Sequence, residues 1–147
     1  MSDGYESALF SVRAKGGKVK QLTPWGEIDE NPTWSPDSRR IIFAVGPHGS
    51  IETIRPDGSE RHTIRPATET FGGHKPWFSP DGSRILLMCE NQGLLPDPPP
   101  DYNEDLCVMD ADGSDLVNIT NTPEIFENWP SWAPAPSDDD DDERDDD

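Results

Sequence analysis

Basic residues are scarce in this chain. Twelve lysines and arginines stand against 30 aspartates and glutamates in 147 residues, a formal net charge of −18. That balance makes nucleic acids and anionic membranes poor partners, and favours basic protein surfaces or divalent cations. The excess is uneven: residues 138–147 read DDDDDERDDD, nine acids and one arginine, so they carry −8 of the −18 and the rest carries −10. Long apolar runs are missing, and with them any candidate for a membrane-spanning helix. The opening MSDGYESALF has neither the basic region nor the apolar core of a secretory signal. Two cysteines, Cys89 and Cys107, are too few for a disulfide framework. Two small buried apolar residues are the first expectation, and a single cross-strand disulfide the alternative in an oxidising compartment. His48, His62 and His74 are isolated and lack ligand spacing. There is no G-x-S-x-G elbow and no P-loop. The expectation is therefore a protein without a catalytic residue or cofactor.

Proline and glycine, by contrast, are plentiful at 16 and 12, which leaves little room for long helices. They recur in a pattern. Asn31-Pro32-Thr33-Trp34-Ser35-Pro36-Asp37-Ser38 runs into the apolar stretch Ile41-Ile42-Phe43. Lys75-Pro76-Trp77-Phe78-Ser79-Pro80-Asp81-Gly82 runs likewise into Ile85-Leu86-Leu87, with Phe78 44 positions after Trp34. A weaker third copy, Trp129-Pro130-Ser131-Trp132, follows, Trp132 lying 54 positions after Phe78. Between these anchors a second element repeats. Ile51–Ser59 carries Asp57-Gly58, Leu106–Ser114 carries Asp112-Gly113, and a degenerate copy over Leu9–Gly17 has Lys15-Gly16.

Asp-Gly between short apolar runs is a strong hairpin signal, and Ser-Pro-Asp places proline where a type I turn wants a fixed φ. Each unit thus reads as two hairpins, strands a to d, at the period of a propeller blade. The fold expected is all-β: four-stranded antiparallel β-propeller blades in an incomplete ring, about two full and two partial. The boundaries are a lead over 1–7, repeats over 8–136 and a disordered acidic tail over 137–147. Within the repeats, 8–23 is a partial blade, 31–65 and 75–120 are blades, and 129–134 is a lone strand a.

NPTWSPDSRRIIF, KPWFSPDGSRILL and DLCVMDADGSDLVNIT resemble the repeats of TolB-like β-propellers, a WD-like repeat family, over about residues 8–134. The resemblance implies wedge roles between blades for Trp34, Phe78 and Trp132. Pro36, Asp37, Pro80, Asp81 and Gly82 become turn formers, as do Asp57, Gly58, Asp112 and Gly113. It also implies non-enzymatic protein–protein interaction or scaffolding, as TolB has with a peptidoglycan-associated lipoprotein in the cell envelope. Ser38 departs from the family's glycine, and the third unit runs from WAPAP into acids with no strand b. A second copy that completes the ring is one way to close it. The alternatives are the propeller part of a larger enzyme, a prolyl-oligopeptidase-type peptidase or polysaccharide lyase, and a truncated structural repeat without a ligand. A complete chain without a signal would be cytoplasmic, whereas a piece of a TolB-like parent would be periplasmic or in the cell envelope.

Binding residues ride on loops. The d–a and b–c loops share one end of a blade, and they offer Trp25, Glu27, Asp29, Phe71, His74, Phe126 and Trp129. An insertion over 91–104 adds Leu94, Leu95 and Tyr102. Aromatics beside carboxylates suit a protein segment or a sugar. Asp110 and Asp112 have weakly calcium-like spacing, but the glycine falls fourth rather than sixth, so a hairpin turn explains them better.

Overall fold

A computed structural model describes residues 6–68, 70–90, 104–122 and 125–133. Among them there is no helix, only strands in three antiparallel sheets. The first sheet pairs β1 (Phe10–Ser11) with β2 (Lys20–Gln21). The second contains β3 (Asp29–Trp34), β4 (Ile41–Val45), β5 (Ser50–Ile54) and β6 (His62–Arg65), neighbours in chain order. The third repeats that order with β7 (Gly72–Phe78), β8 (Arg84–Glu90), β9 (Glu104–Asp110) and β10 (Val117–Asn118). These are two complete propeller blades preceded by a partial one, in an array that does not close on itself.

The Ser-Pro-Asp turn works through both of its polar side chains. In the first full blade Ser38 N donates to Ser35 O at 2.9 Å, closing the turn that proline presets. Ser35 Oγ donates to Asp37 Oδ1 at 2.7 Å and accepts from Arg40 N at 2.9 Å. The second blade repeats this with Gly82 N to Ser79 O, Ser79 Oγ to Asp81 Oδ1 and Arg84 N to Ser79 Oγ. Serine thus ties the two strands while aspartate ties the turn. Gly82 has φ +74° and Ser38, at the same place, +58°, so the serine adopts a backbone that glycine holds without strain.

A second local signature sits before Pro32, Pro76 and Pro130, the proline that precedes the aromatic of each repeat. Asn31, Lys75 and Trp129 have φ of 52°, 47° and 58°. In β3 and β7 this kink coincides with a slip in register, between Glu30 and Thr33 and between His74 and Trp77. Proline cannot donate to a ladder, and the bulge places it where no donor is needed.

The core lies between blades. Leu9 and Leu22 of the partial blade pack on Ile41, Phe43 and Ile54 of the first full blade. The opposite face of that blade, with Ile42, Ala44 and Ile51, meets Ile85, Leu87, Cys89, Cys107 and Met109 of the second. Each leucine, isoleucine, phenylalanine or methionine among them contributes about 1.5–3 kcal/mol when buried. Cys89 and Cys107 are joined in a disulfide, with Cα atoms 5.8 Å apart. Register sets Cys107 opposite Leu87 and Cys89 opposite Asp105, so the bridge runs diagonally between β8 and β9 on the buried face. This corrects the first expectation of two unlinked apolar residues: both thiols project from one face within reach of each other.

The lone strand expected over 129–134 is also corrected, as far as residue 133. Residues 125–133 form no ladder. In the full blades strand a pairs with strand b, and the sequence after Trp132 is Ala-Pro-Ala-Pro-Ser and then acids, with no apolar run to serve. The segment nevertheless sits as a strand a would. Gly73 N donates to Gly49 O at 2.9 Å across the joint between full blades, and Glu127 N donates to Glu104 O at 3.2 Å at the corresponding place one blade later. Trp132 Nε1 donates to Trp77 O at 3.2 Å. Of the three wedges, Phe78 packs on the inter-blade core and Trp132 is half-buried, whereas Trp34 is 53% exposed.

Candidate binding face

The loop end carries two separate aromatic clusters rather than one. At the partial blade Trp25, 60% exposed, tilts against Phe10 with ring centroids 5.8 Å apart. The short bridges Ser7 to Glu27 and Trp25 to Glu27 hold this loop against the chain. At the far end Trp129 is 70% exposed, with Lys75 Nζ 4.3 Å from its ring centroid. Lys75 Nζ also donates to Asn128 Oδ1 at 2.6 Å, which fixes the cation over the ring. Phe126, 55% exposed, belongs to the same segment.

Other residues expected at the surface are not there. Phe71 is packed into the inter-blade core, with the Arg65 guanidinium 5.1 Å from its ring centroid, because the loop before β7 folds back over the joint. Asp29 is buried at the start of β3. His74 opposes Met88 in β8 and is half-buried. Leu94, Leu95 and Tyr102 lie outside the described residues, as does the acidic tail. Asp112 Oδ1 accepts from Ser114 N and Ser114 Oγ, so it is engaged in its turn.

An arginine that sequence reasoning passed over organises the first full blade. Arg61 reaches Glu27 at 2.7 Å, Asp29 at 3.4 Å and Glu52 at 2.5 Å, and lies over the Phe43 ring at 5.4 Å. Burial raises the Asp29 carboxyl above its ordinary value, against the Thr23 hydroxyl and Arg61. Although Thr23 is close, Asp29 Oδ2 accepts no hydrogen bond among the described residues. The signal was Glu52, an acid inside an apolar strand, which calls for a buried cation. Glu27 and Asp29, expected to bind ligand, both pair with Arg61.

A cleft of about 1160 Å³ opens at the opposite end of the strands. Ser35, Asp37 and Arg40 line it on the first full blade, and Asp81, Gly82 and Asp112 on the second. Arg40 and Arg55 there share Glu60, at 3.2 and 2.9 Å. Asp81 and Asp112 are engaged by the serines of their own turns, so the exposed aromatics at the loop end remain the better candidates for recognition. No group of histidine, cysteine and carboxylate side chains suited to a metal occurs among the described residues.

No family model matches the chain. Several known proteins do. A Tol-Pal system protein TolB of Anaeromyxobacter dehalogenans is 30% identical over 133 residues, taking in 84% of this chain and 26% of the relative. An uncharacterised peptidase, YuxL of Bacillus subtilis, is 30% identical over 86 residues, 58% of this chain and 13% of the peptidase. Among solved structures, one described as a TolB of Agrobacterium tumefaciens superposes with a TM-score of 0.64 at 26% identity, over 76% of this chain and 40% of that one. The chain therefore spans about a quarter of the TolB relative's length. Repeats, blade order and relatives agree: the chain is made of TolB-like β-propeller repeats.

Proposed function

We propose that this chain is a non-enzymatic propeller module that binds a protein segment through its d–a and b–c loop end. The observation that carries the reading is the pair of exposed aromatic clusters, Trp25 with Phe10 and Trp129 with Lys75. Large, rigid aromatic surfaces bind at little cost in conformational entropy and dominate protein interfaces. The net charge of −18 favours a basic partner segment. The disulfide and the TolB relatives support a place in an oxidising compartment, the periplasm or cell envelope, over the cytoplasm.

Peptides selected from a displayed library on the chain test this. Trp25→Ala and Trp129→Ala are expected to weaken the selected peptides about tenfold or more with unchanged melting. Peptides that bind both variants as well as the parent would sink the reading. The match to YuxL favours a second reading, the propeller portion of a peptidase. That reading requires a parent gene that encodes a hydrolase domain in the same frame.

A further inference from the structure

We propose that the two ends of the array are the two halves of one more blade joint, made head to tail with a second copy of the chain. The inference does not rest on what the loop end binds, although it draws Phe10, the neighbour of Trp25, into the joint.

The joints within the chain follow a rule. At each one the glycine of a c–d turn lies against strand d of the preceding blade. A Cβ on Gly58 would stand 3.4 Å from Leu22 O, and one on Gly113 only 2.1 Å from Ile64 O. Gly16 belongs to the same set. Its N donates to Arg13 O as Gly58 N donates to Arg55 O and Gly113 N to Asp110 O, and its φ of +81° matches theirs. Yet nothing lies within 4 Å of the Gly16 Cβ position. At the other end, Ile119 is the counterpart of Leu22: Ile119 N donates to Leu106 O as Leu22 N donates to Leu9 O. No c–d turn of this chain follows Ile119 among the described residues. Among the described residues one turn lacks a strand and one strand lacks a turn; the two are complementary, and a second copy of this 147-residue chain would supply both.

The side chains agree. Phe10, Val12 and Val19 stand exposed on the outer face of the β1–β2 hairpin, where Leu9 and Leu22 take the inner one. On the second full blade, cross-strand register aligns Trp77, Leu86, Val108 and Val117 on the face turned away from the first, and Trp77, Val117 and Ile119 there are exposed. Charge agrees as well. Arg13, Lys15 and Lys18 of the Gly16 turn are exposed and form no ion pair among the described residues. No acid occurs from residue 7 to residue 26, whereas the run carrying −8 begins six positions after Trp132. In a joint between copies, that basic turn would lie against strand d of the partner's second full blade, on a chain whose net charge is −18. Each copy would bring two four-stranded sheets and share one composite blade at each joint. Two copies then make four full blades and two partial ones without strand b, six positions in a ring, within the range of about four to eight for closed propellers.

Light scattering on a sizing column tests this with the 147-residue chain. The expected mass is about twice 16.3 kDa. Phe10→Asp and Ile119→Asp, on opposite ends, should each give monomers, and mixing them should restore a dimer through the one intact joint. Lys15→Glu with Lys18→Glu, on an exposed turn that leaves folding alone, should weaken the dimer about tenfold at low salt. A parent chain that is monomeric at all concentrations would overturn the proposal. So would variants that keep the dimer, or a mixture that stays monomeric while both variants melt cooperatively.

Discussion

Gly113 and Gly58 occupy the same turn position yet are held by different amounts. Both have positive φ, so any side chain there is strained by about 1–2 kcal/mol. Gly113 also presses on the Ile64 carbonyl, and Arg65 Nη1 donates to Gly113 O at 3.1 Å across the same joint. Gly113→Ala is expected to lose roughly 3 kcal/mol or more, against about 1 kcal/mol for Gly58→Ala. Urea denaturation of the two variants reads the difference, and equal losses would refute the close approach at Gly113. The turn role of these glycines was legible in the sequence, since Asp-Gly between apolar runs has few other meanings. Their second role was not, because nothing in a hairpin motif says what lies behind it. Phe71 was misplaced for a related reason. An aromatic in a loop looks the same whether it faces water or folds back over a joint.

At the scale of the element, the disulfide staples β8 to β9 across a separation of 18 residues that includes 91–103. Closing a loop of that size in the unfolded chain contributes about 3 kcal/mol. Cys89→Ser or full reduction is expected to cost about that much and to lower the melting temperature, followed by circular dichroism with and without reductant. An unchanged melt would mean that the bridge adds no constraint beyond the core packing around it. The strands themselves were readable, because alternating apolar positions bounded by Ser-Pro-Asp and Asp-Gly leave few other assignments. Strand a was less readable. A ladder needs a partner, and residues 125–133 keep the kink at Trp129 and the seat on the second blade without gaining one.

Across the whole molecule, charge sets two opposing responses to acid. The turn carboxylates Asp37, Asp57 and Asp112 are held below their ordinary values by serine hydroxyls and backbone N–H groups. Asp81 is lowered to about 2, mainly by the Ser79 hydroxyl and then by Ser83. A carboxylate depressed in the folded state stabilises above its unfolded value and loses that contribution as pH falls through its folded one. Protonation elsewhere relieves the repulsion of a chain at −18, and buried Asp29, shifted upward, also favours the folded state on protonation. The melting temperature is thus expected to hold or rise from pH 7 to about 4, then fall steeply toward pH 2. Asp81→Asn should flatten part of that fall. A parent curve that is level between pH 4 and 2 would contradict the turn assignments. The joint itself has a further consequence. The bond from Gly73 N to Gly49 O and the bond from Glu127 N to Glu104 O are the same bond, made once between glycines and once between glutamates. The two seams differ in what they tolerate: a Cβ on Gly49 would stand only 2.1 Å from Gly73 O, so the first is closed to side chains there, whereas the second carries a glutamate on either side. The shared bond fixes where a blade seats, and the side chains around it decide which neighbour it accepts.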